Sequence, residues 1–382
     1  MAAPRGPSAL PRAFVVLVGA AAATIMAAGL HATAWLIGPA FLALVIVIVA
    51  SPADRWMRRI GVPGWLSTAV LVLLVYGIVL VLTGVLLVSA SRLATILPQY
   101  ASSADTLVAA GSGALRELGV GTEQLQTIAG ALDLRRIIAL VGGLLAGLAG
   151  LATNVVFLLS LLLFLCVESS SAGSRIAVVG RDHPQVAEAL GRFTAGTRRF
   201  LVVTTLFGLG LAVLDTIALA LLGIPLAVLW GLLSFITNYI PYIGFFLGVL
   251  PPAILALLGG GWQLMLIVIA IYTVLNFVVT SLIQPHFIGG SVDLSVTVTF
   301  VGLVFWAWLI GPIGAVLAIP LTLLAKALLV DADPRAGWAN ALLASPTGVD
   351  RAGGNDARHV SPAADEVEEH GDATPFRDGQ LR

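Results

Sequence analysis

From about residue 13 to about residue 330 the chain is a succession of apolar runs, each with the length of a membrane-crossing helix, about 20 residues. The runs are continuous rather than alternating, which favours helices over a transmembrane barrel. Lipid offers backbone groups no hydrogen-bond partner, so each run must satisfy its own. Composition agrees: 59% of residues are hydrophobic and 10% are charged, against about 25% charged in an ordinary soluble domain. The expected class is therefore an all-α integral membrane protein. Its net charge of zero gives no electrostatic case for nucleic acid. The lone Cys166 rules out a disulfide within the chain and a Cys-rich metal site.

Taken in order, residues 1–12 form a basic, Pro-containing N-terminus. The first apolar run, 13–30, is longer than a signal-peptide core and a second run follows at once, so it is read as an uncleaved helix. The second run, 33–51, ends at Ser51-Pro52 before Arg55, Arg58 and Arg59, and the third spans about 65–90. Residues 92–137 mix charge with apolar residues at helical spacing and read as short amphipathic helices on one side of the membrane. The fourth span covers about 138–166, and residues 168–199 follow as a polar, Arg-rich loop whose second half is helical. The remaining spans lie at about 200–222, 226–258, 262–283 and 296–330, with Gly259-Gly260-Gly261 as a turn. Residues 331–382 read as a disordered tail. The result is a polytopic bundle of about eight transmembrane helices. The transport core lies in 138–330, and the positive-inside rule places both termini in the cytoplasm.

Two of these runs are too long. As one helix, 226–258 would extend on the order of 50 Å, against a hydrocarbon core of about 30 Å. The run 296–330 has the same excess, and tilt does not absorb it. Each supplies its own breakers: Pro241, Gly244, Gly248, Pro251 and Pro252 in the first, and Gly311, Pro312, Gly314 and Pro320 in the second. Both are expected to be broken or re-entrant. Ile243–Pro252 can also be set against Ile310–Pro320 as an internal repeat, with small shifts. Interrupted segments at matching positions of two halves point to a transporter's binding site. On a simple alternating topology the two would run parallel, unless either run is re-entrant.

Polar residues inside the runs are the remaining clue. Asp215 is the one acidic residue in the C-terminal apolar runs, on a face with Thr204, Gly208 and Ala212. An intramembrane carboxylate costs about 2.5–3.5 kcal/mol on insertion scales, which makes it a functional candidate. It is the candidate for ion or proton coupling; a hydrogen-bonded carboxyl near the interface is the plainer reading. Tyr272, Asn276, Thr280 and Gln284 recur every four residues, as pathway lining or as interhelical hydrogen-bonding groups. His286, beside Pro285, reads as a loop histidine. No phosphate-binding loop, zinc-binding His pair or nucleophile elbow is present, so neither an enzyme nor an ATP-driven pump is expected, and no cofactor or metal is called for.

Three stretches together resemble the AI-2E (autoinducer-2 exporter) family of permeases: Phe235–Gly244, Leu282–Gly289 with its Gln284-Pro285, and Gly311–Leu321. The resemblance covers roughly residues 13–330 and is most specific over 230–325. It departs in two places. Asp293–Val296 stands where a Pro is common, and Asn276 and Thr280 occupy positions near which an acidic residue is common. The resemblance implies an oligomeric permease of the bacterial cytoplasmic membrane, exporting a small polar solute or signalling molecule; some members exchange sodium for protons.

The expectations are these. Asn238, Tyr239, Tyr242, Asn276, Thr280 and Gln284 line the substrate pathway. Asp215 couples ions or protons. Pro241, Gly244, Gly248, Pro285, Gly311, Gly314 and Pro320 are helix breaks or hinges. The partners are the lipid bilayer, a small polar solute or cation, and further copies of the chain. A cation–proton antiporter and a non-transporting membrane scaffold are the alternatives.

Overall fold

The computed structural model describes residues 12–117, 143, 155–284 and 294–332, and all regular structure among them is helical. The expectations for 118–137, for Pro285 and His286, and for the tail beyond 332 lie outside the described residues. Helix α1 is Arg12–Ala32, α2 Ala34–Arg59 and α3 Gly64–Glu117. Helix α4 is Val155–Asp182, α5 Pro184–Leu221 and α6 Ala227–Thr237. Helix α7 is Gly244–Phe277 and runs on as a π-helical segment, Val278–Ile283. Then come α8, Val296–Ile310, α9, Pro312–Val316, and α10, Ala318–Lys326, which ends in a second π-helical segment, Ala327–Asp331. Among the described residues four helical stretches are long and apolar enough to cross a bilayer by length and composition: Ala34–Arg59, Gly64–Leu93, Pro184–Leu221 and Gly244–Ile283, the last of them interrupted at Gly261. A bent pair, Val155–Ser169 and Ser171–Asp182, makes a fifth if its 61° bend is counted within one span.

Two segments are more helical than expected. Helix α3 continues without interruption to Glu117, so the first part of 92–137 prolongs the third span. The first half of the 168–199 stretch is not a loop, since Ser171–Asp182 is helical, and the helix expected in its second half is the start of α5. Pro184 at the first position of α5 costs no hydrogen bond there, because the first amides of a helix have no intrahelical acceptor.

Helices α2, α3 and α4 pack through a buried layer of Ala43, Val47, Leu71, Val75, Leu162 and Cys166. The Tyr76 hydroxyl donates across it to the Leu159 carbonyl. At the α2–α3 turn, buried Asp54 accepts from Ser67 Oγ at 2.5 Å and from Arg58 Nε at 2.9 Å. The tie closes the turn around Gly61, whose φ is +90°. Much of α1 and α3 is apolar and exposed, as lipid-facing surface requires.

Both over-long runs are broken, and both turn back on themselves. Helix α6 has 11 residues, about 16 Å, half the depth of the hydrocarbon core. Residues 238–243 then reverse the chain, with Tyr242 at φ +63°, a backbone region L-residues rarely adopt. Helix α7 returns alongside α6. A Cβ at Gly244 would collide with the Thr237 carbonyl oxygen, and one at Gly248 would lie 3.0 Å from Thr237 Oγ1. Helix α7 is itself doubled. Gly261, at φ +79° and ψ −176°, interrupts it, and Gly248 and Tyr272, on opposite sides of that break, line one cavity. In a straight helix they would stand about 36 Å apart. The glycine turn is therefore a reversal.

The second run behaves likewise. Gly311, at φ +80° and ψ −152°, ends α8, and α9 and α10 fold back along it. Trp306 Nε1 donates to Thr322 Oγ1 at 3.0 Å, and a Cβ at Gly314 would collide with the Trp306 carbonyl oxygen.

The two hairpins point in opposite directions. Asn238 Nδ2 donates to the Thr204 carbonyl at 3.3 Å and Tyr239 pairs with Thr205 at 2.7 Å. The tip of the α6–α7 hairpin thus lies far down α5, while its open end, at Pro225 and Gly261, stays at the Leu221 end. The α8–α10 hairpin has its open end at the other end of α5, where Ala327 packs with Ala189 and Phe193. Its tip reaches the start of α2, where Ile310 Cγ2 would lie 3.0 Å from a Cβ at Gly38. This corrects the parallel arrangement of the simple topology. Because α6 does not cross, Gly259–Gly261 sits at the Leu221 end rather than the His183 end. The structural equivalence also shifts the repeat: Gly244 corresponds to Gly314, since each presses on a carbonyl of the preceding helix, and Gly311 marks the turn.

Candidate functional site

Helix α5 is the common wall against which α6 and both limbs of α7 are arranged. Its residues Thr204, Gly208, Leu211, Ala212 and Asp215 form one buried face at helical spacing. Helix α6 contributes Ser234 and Thr237, both buried, and then Asn238 in the turn. The returning limb of α7 brings Gly244, Phe245 and Gly248, and the limb after Gly261 brings Tyr272 and Asn276. Leu211 and Asp215 of α5, with these residues of α6, its turn and α7, line a cavity of about 20 Å³, the size of one water molecule or one monatomic cation.

Asp215 is 1% exposed. Its Oδ2 accepts a hydrogen bond from Ser234 Oγ at 2.6 Å. Its Oδ1 and the Tyr272 hydroxyl are buried in the same cavity wall with no hydrogen-bond partner among the described residues. Unpaired buried polar atoms are costly, about 1–3 kcal/mol each, so two at one place mark a site rather than filler. Chemically, a carboxylate, a phenol, hydroxyls and a carboxamide can exchange a proton or surround a hard cation with oxygen ligands. Among the described residues no group of three or more His, Cys, Asp or Glu side chains is positioned for a metal.

The cavity gathers two of the expected pathway residues, Asn238 and Asn276, with the coupling candidate Asp215 and the expected breaks Gly244 and Gly248. Others lie elsewhere. Tyr239 shares a hydrogen bond with Thr205, sets its ring edge-on to Phe235 and packs against the cluster holding Trp306, Ile310, Ile313 and Leu317. It thus shares a packed cluster with residues of the second hairpin. Tyr242 is 50% exposed and sets its ring edge against Phe300 of α8. Thr280 donates to the Asn276 carbonyl at 2.7 Å, within the π-helical turn, and Gln284 is half-buried at its end. Ser234 and Thr237 were not singled out from the sequence, although Ser234, Thr237 and Asn238 fall at i, i+3 and i+4, one polar face of a short apolar helix.

The sequence matches the AI-2E family transporter pattern over residues 16–332. The chain belongs to the AI-2E transporter family. It is similar to the AI-2 transport protein TqsA of Escherichia coli K12, 30% identical over 302 residues, 79% of this chain and 88% of TqsA. It is similar also to YhhT of the same strain, 28% identical over 312 residues, 81% of this chain and 89% of YhhT. A Haemophilus influenzae relative is 30% identical over 328 residues, 85% of this chain and 94% of its own. The last two carry transport and no substrate in their names. The AI-2E match contains both hairpins and the cavity, so the site belongs to the part of the chain shared with these relatives.

Proposed function

We propose that this AI-2E transporter exports a small polar solute across the bacterial cytoplasmic membrane, from the His183 end of α5 towards its Leu221 end. The reading is supported by one observation: the two opposed hairpins of the C-terminal half, with the Tyr242 ring of the first set against Phe300 of the second. Half-depth helices from opposite sides bring polar turns into the membrane interior, where a solute site can be covered by protein on both sides. Asn238, Tyr239, Tyr242, Asn276, Thr280 and Gln284 belong to the pathway in this reading, Gly311 to the moving tip, and Pro320 to the returning helix α10. The chain works with both termini in the cytoplasm, as an oligomer, and carries out no catalysis; of its eight apolar runs, two enter the membrane as re-entrant hairpins instead of crossing it. The similarity to TqsA makes a signalling molecule the solute class to test first.

The test compares metabolites in medium and cytosol of cells with and without the protein, followed by efflux of any enriched solute from proteoliposomes. A solute that accumulates inside when the protein is absent, and that purified protein releases, supports export. Absence of flux for every enriched solute leaves the scaffold reading.

A second reading has its own observation, the unpaired Asp215 Oδ1 and Tyr272 hydroxyl at a cation-sized cavity. In it Asp215 carries the coupling proton or binds the coupling cation. A pH gradient imposed on vesicles then drives cation flux in the wild type and not in Asp215→Asn.

A further inference from the structure

We propose that a groove between α2 and α5, lined by Arg55, Arg59 and Arg198, binds the phosphate headgroup of an anionic phospholipid. The concavity measures about 410 Å³ and is completed by Pro52 and Trp56. Arg55 and Arg59 are four residues apart and share one face of α2. Arg198 comes from a different helix, so three like charges converge without a carboxylate among the lining residues. Arg58, between the first two, turns the other way to Asp54. The described residues offer Arg55, Arg59 and Arg198 no hydrogen bond or ion pair. Like charges held together in this way are unfavourable until an anion joins them, and guanidinium groups match phosphate oxygens in paired hydrogen bonds.

The position identifies the anion's source. Pro52 closes the apolar part of α2, and Arg198 stands just before the apolar stretch that opens at Phe200. The groove therefore lies at the edge of the membrane. Trp56, 64% exposed beside it, is the amphipathic ring expected at a bilayer interface. Basic pockets between helices at that level take anionic headgroups, and Trp56 with Pro52 offers apolar surface to acyl chains that free phosphate lacks. The groove is distinct from the cavity around Asp215 and needs no assumption about what is transported.

The experiment places the full chain in nanodiscs of phosphatidylglycerol and phosphatidylcholine in equal amounts and measures retained lipid by native mass spectrometry. The wild type should retain phosphatidylglycerol over phosphatidylcholine by about tenfold or more. Arg55→Gln/Arg59→Gln/Arg198→Gln should lose that preference, whereas Arg175→Gln/Arg181→Gln/Arg192→Gln, with the same change of net charge, should keep it. Equal loss in both triple variants, or no preference in the wild type, overturns the proposal. Displacement of the lipid by millimolar inorganic phosphate overturns the choice of lipid as the occupant. A measurement without the arginine variants guards against misfolding: brominated phosphatidylglycerol should quench a fluorescence component that Trp56→Phe removes, and brominated phosphatidylcholine should not. Equal quenching by both lipids again overturns it.

Discussion

Ser234 on the half-depth helix α6 donates a 2.6 Å hydrogen bond to Asp215 on the crossing helix α5, and the other carboxyl oxygen has no partner among the described residues. The pair joins the hairpin to its wall at the cavity. Asp215→Asn keeps size and a carbonyl acceptor for Ser234, so the folded protein should survive. If Asp215 couples transport, gradient-driven flux in proteoliposomes should fall at least about tenfold, the scale on which a functional intramembrane carboxylate matters. Size-exclusion profiles should match the wild type. Undiminished flux would remove Asp215 from the coupling role while leaving solute export intact.

Ser234→Ala tests the same contact from the other side. It strips the carboxyl of its partner in a buried place, at a cost of about 1–3 kcal/mol. The expected result is a lowered melting temperature in detergent. Asp215→Asn combined with Ser234→Ala should cost less than the sum of the single changes, because the two residues share one interaction. Additive losses would mean that the 2.6 Å contact contributes little.

The hairpin tips depend on two close approaches. Gly244 lies against the Thr237 carbonyl and Gly314 against the Trp306 carbonyl, with no space for a Cβ in either place. Gly244→Ala and Gly314→Ala should each destabilise by about 1–3 kcal/mol, the usual range for over-packing. Gly210→Ala, on α5 with nothing within 4 Å of its Cβ, should be neutral or slightly stabilising, since Ala favours a helix. Thermal unfolding of the three variants checks the contrast; similar melting temperatures would exclude the tight turns.

Much of this architecture was legible from the residues, and the limit is instructive. Pro241, Gly244, Gly311 and Gly314, in runs too long for the bilayer, identified both breaks. Direction was not legible. A helix that breaks and continues reads the same as one that breaks and returns, because both leave apolar residues on either side of Gly and Pro. What turns α7 back along α6 is the fit of Gly244 onto the Thr237 carbonyl and of Gly248 beside Thr237, contacts between residues far enough apart that local propensity carries no trace of them. In the 168–199 stretch the helical second half was legible from Val186, Leu190 and Phe193, which α5 contains, whereas the polar residues of the first half hid the helix Ser171–Asp182. Asp215 stood out by charge, whereas its partner Ser234, a single hydroxyl on an apolar helix, did not.

The opposed hairpins predict the side on which each turn is found. If α6 crossed the bilayer, the Gly259–Gly261 turn would lie on the same face as the first turns of α5. Since α6 returns at half depth, that turn lies on the opposite face. On a Cys166→Ser background, Gln263→Cys and Glu188→Cys place single reactive thiols at two exposed positions. A membrane-impermeant maleimide added to intact cells should label one of them, and only after lysis should it label the other. With the positive-inside orientation, Gln263→Cys is the one labelled in intact cells. Labelling of both together, or of neither until lysis, would return α6 to a full crossing and dissolve the opposed pair. The native Cys166 is buried, so its replacement removes background without touching either hairpin.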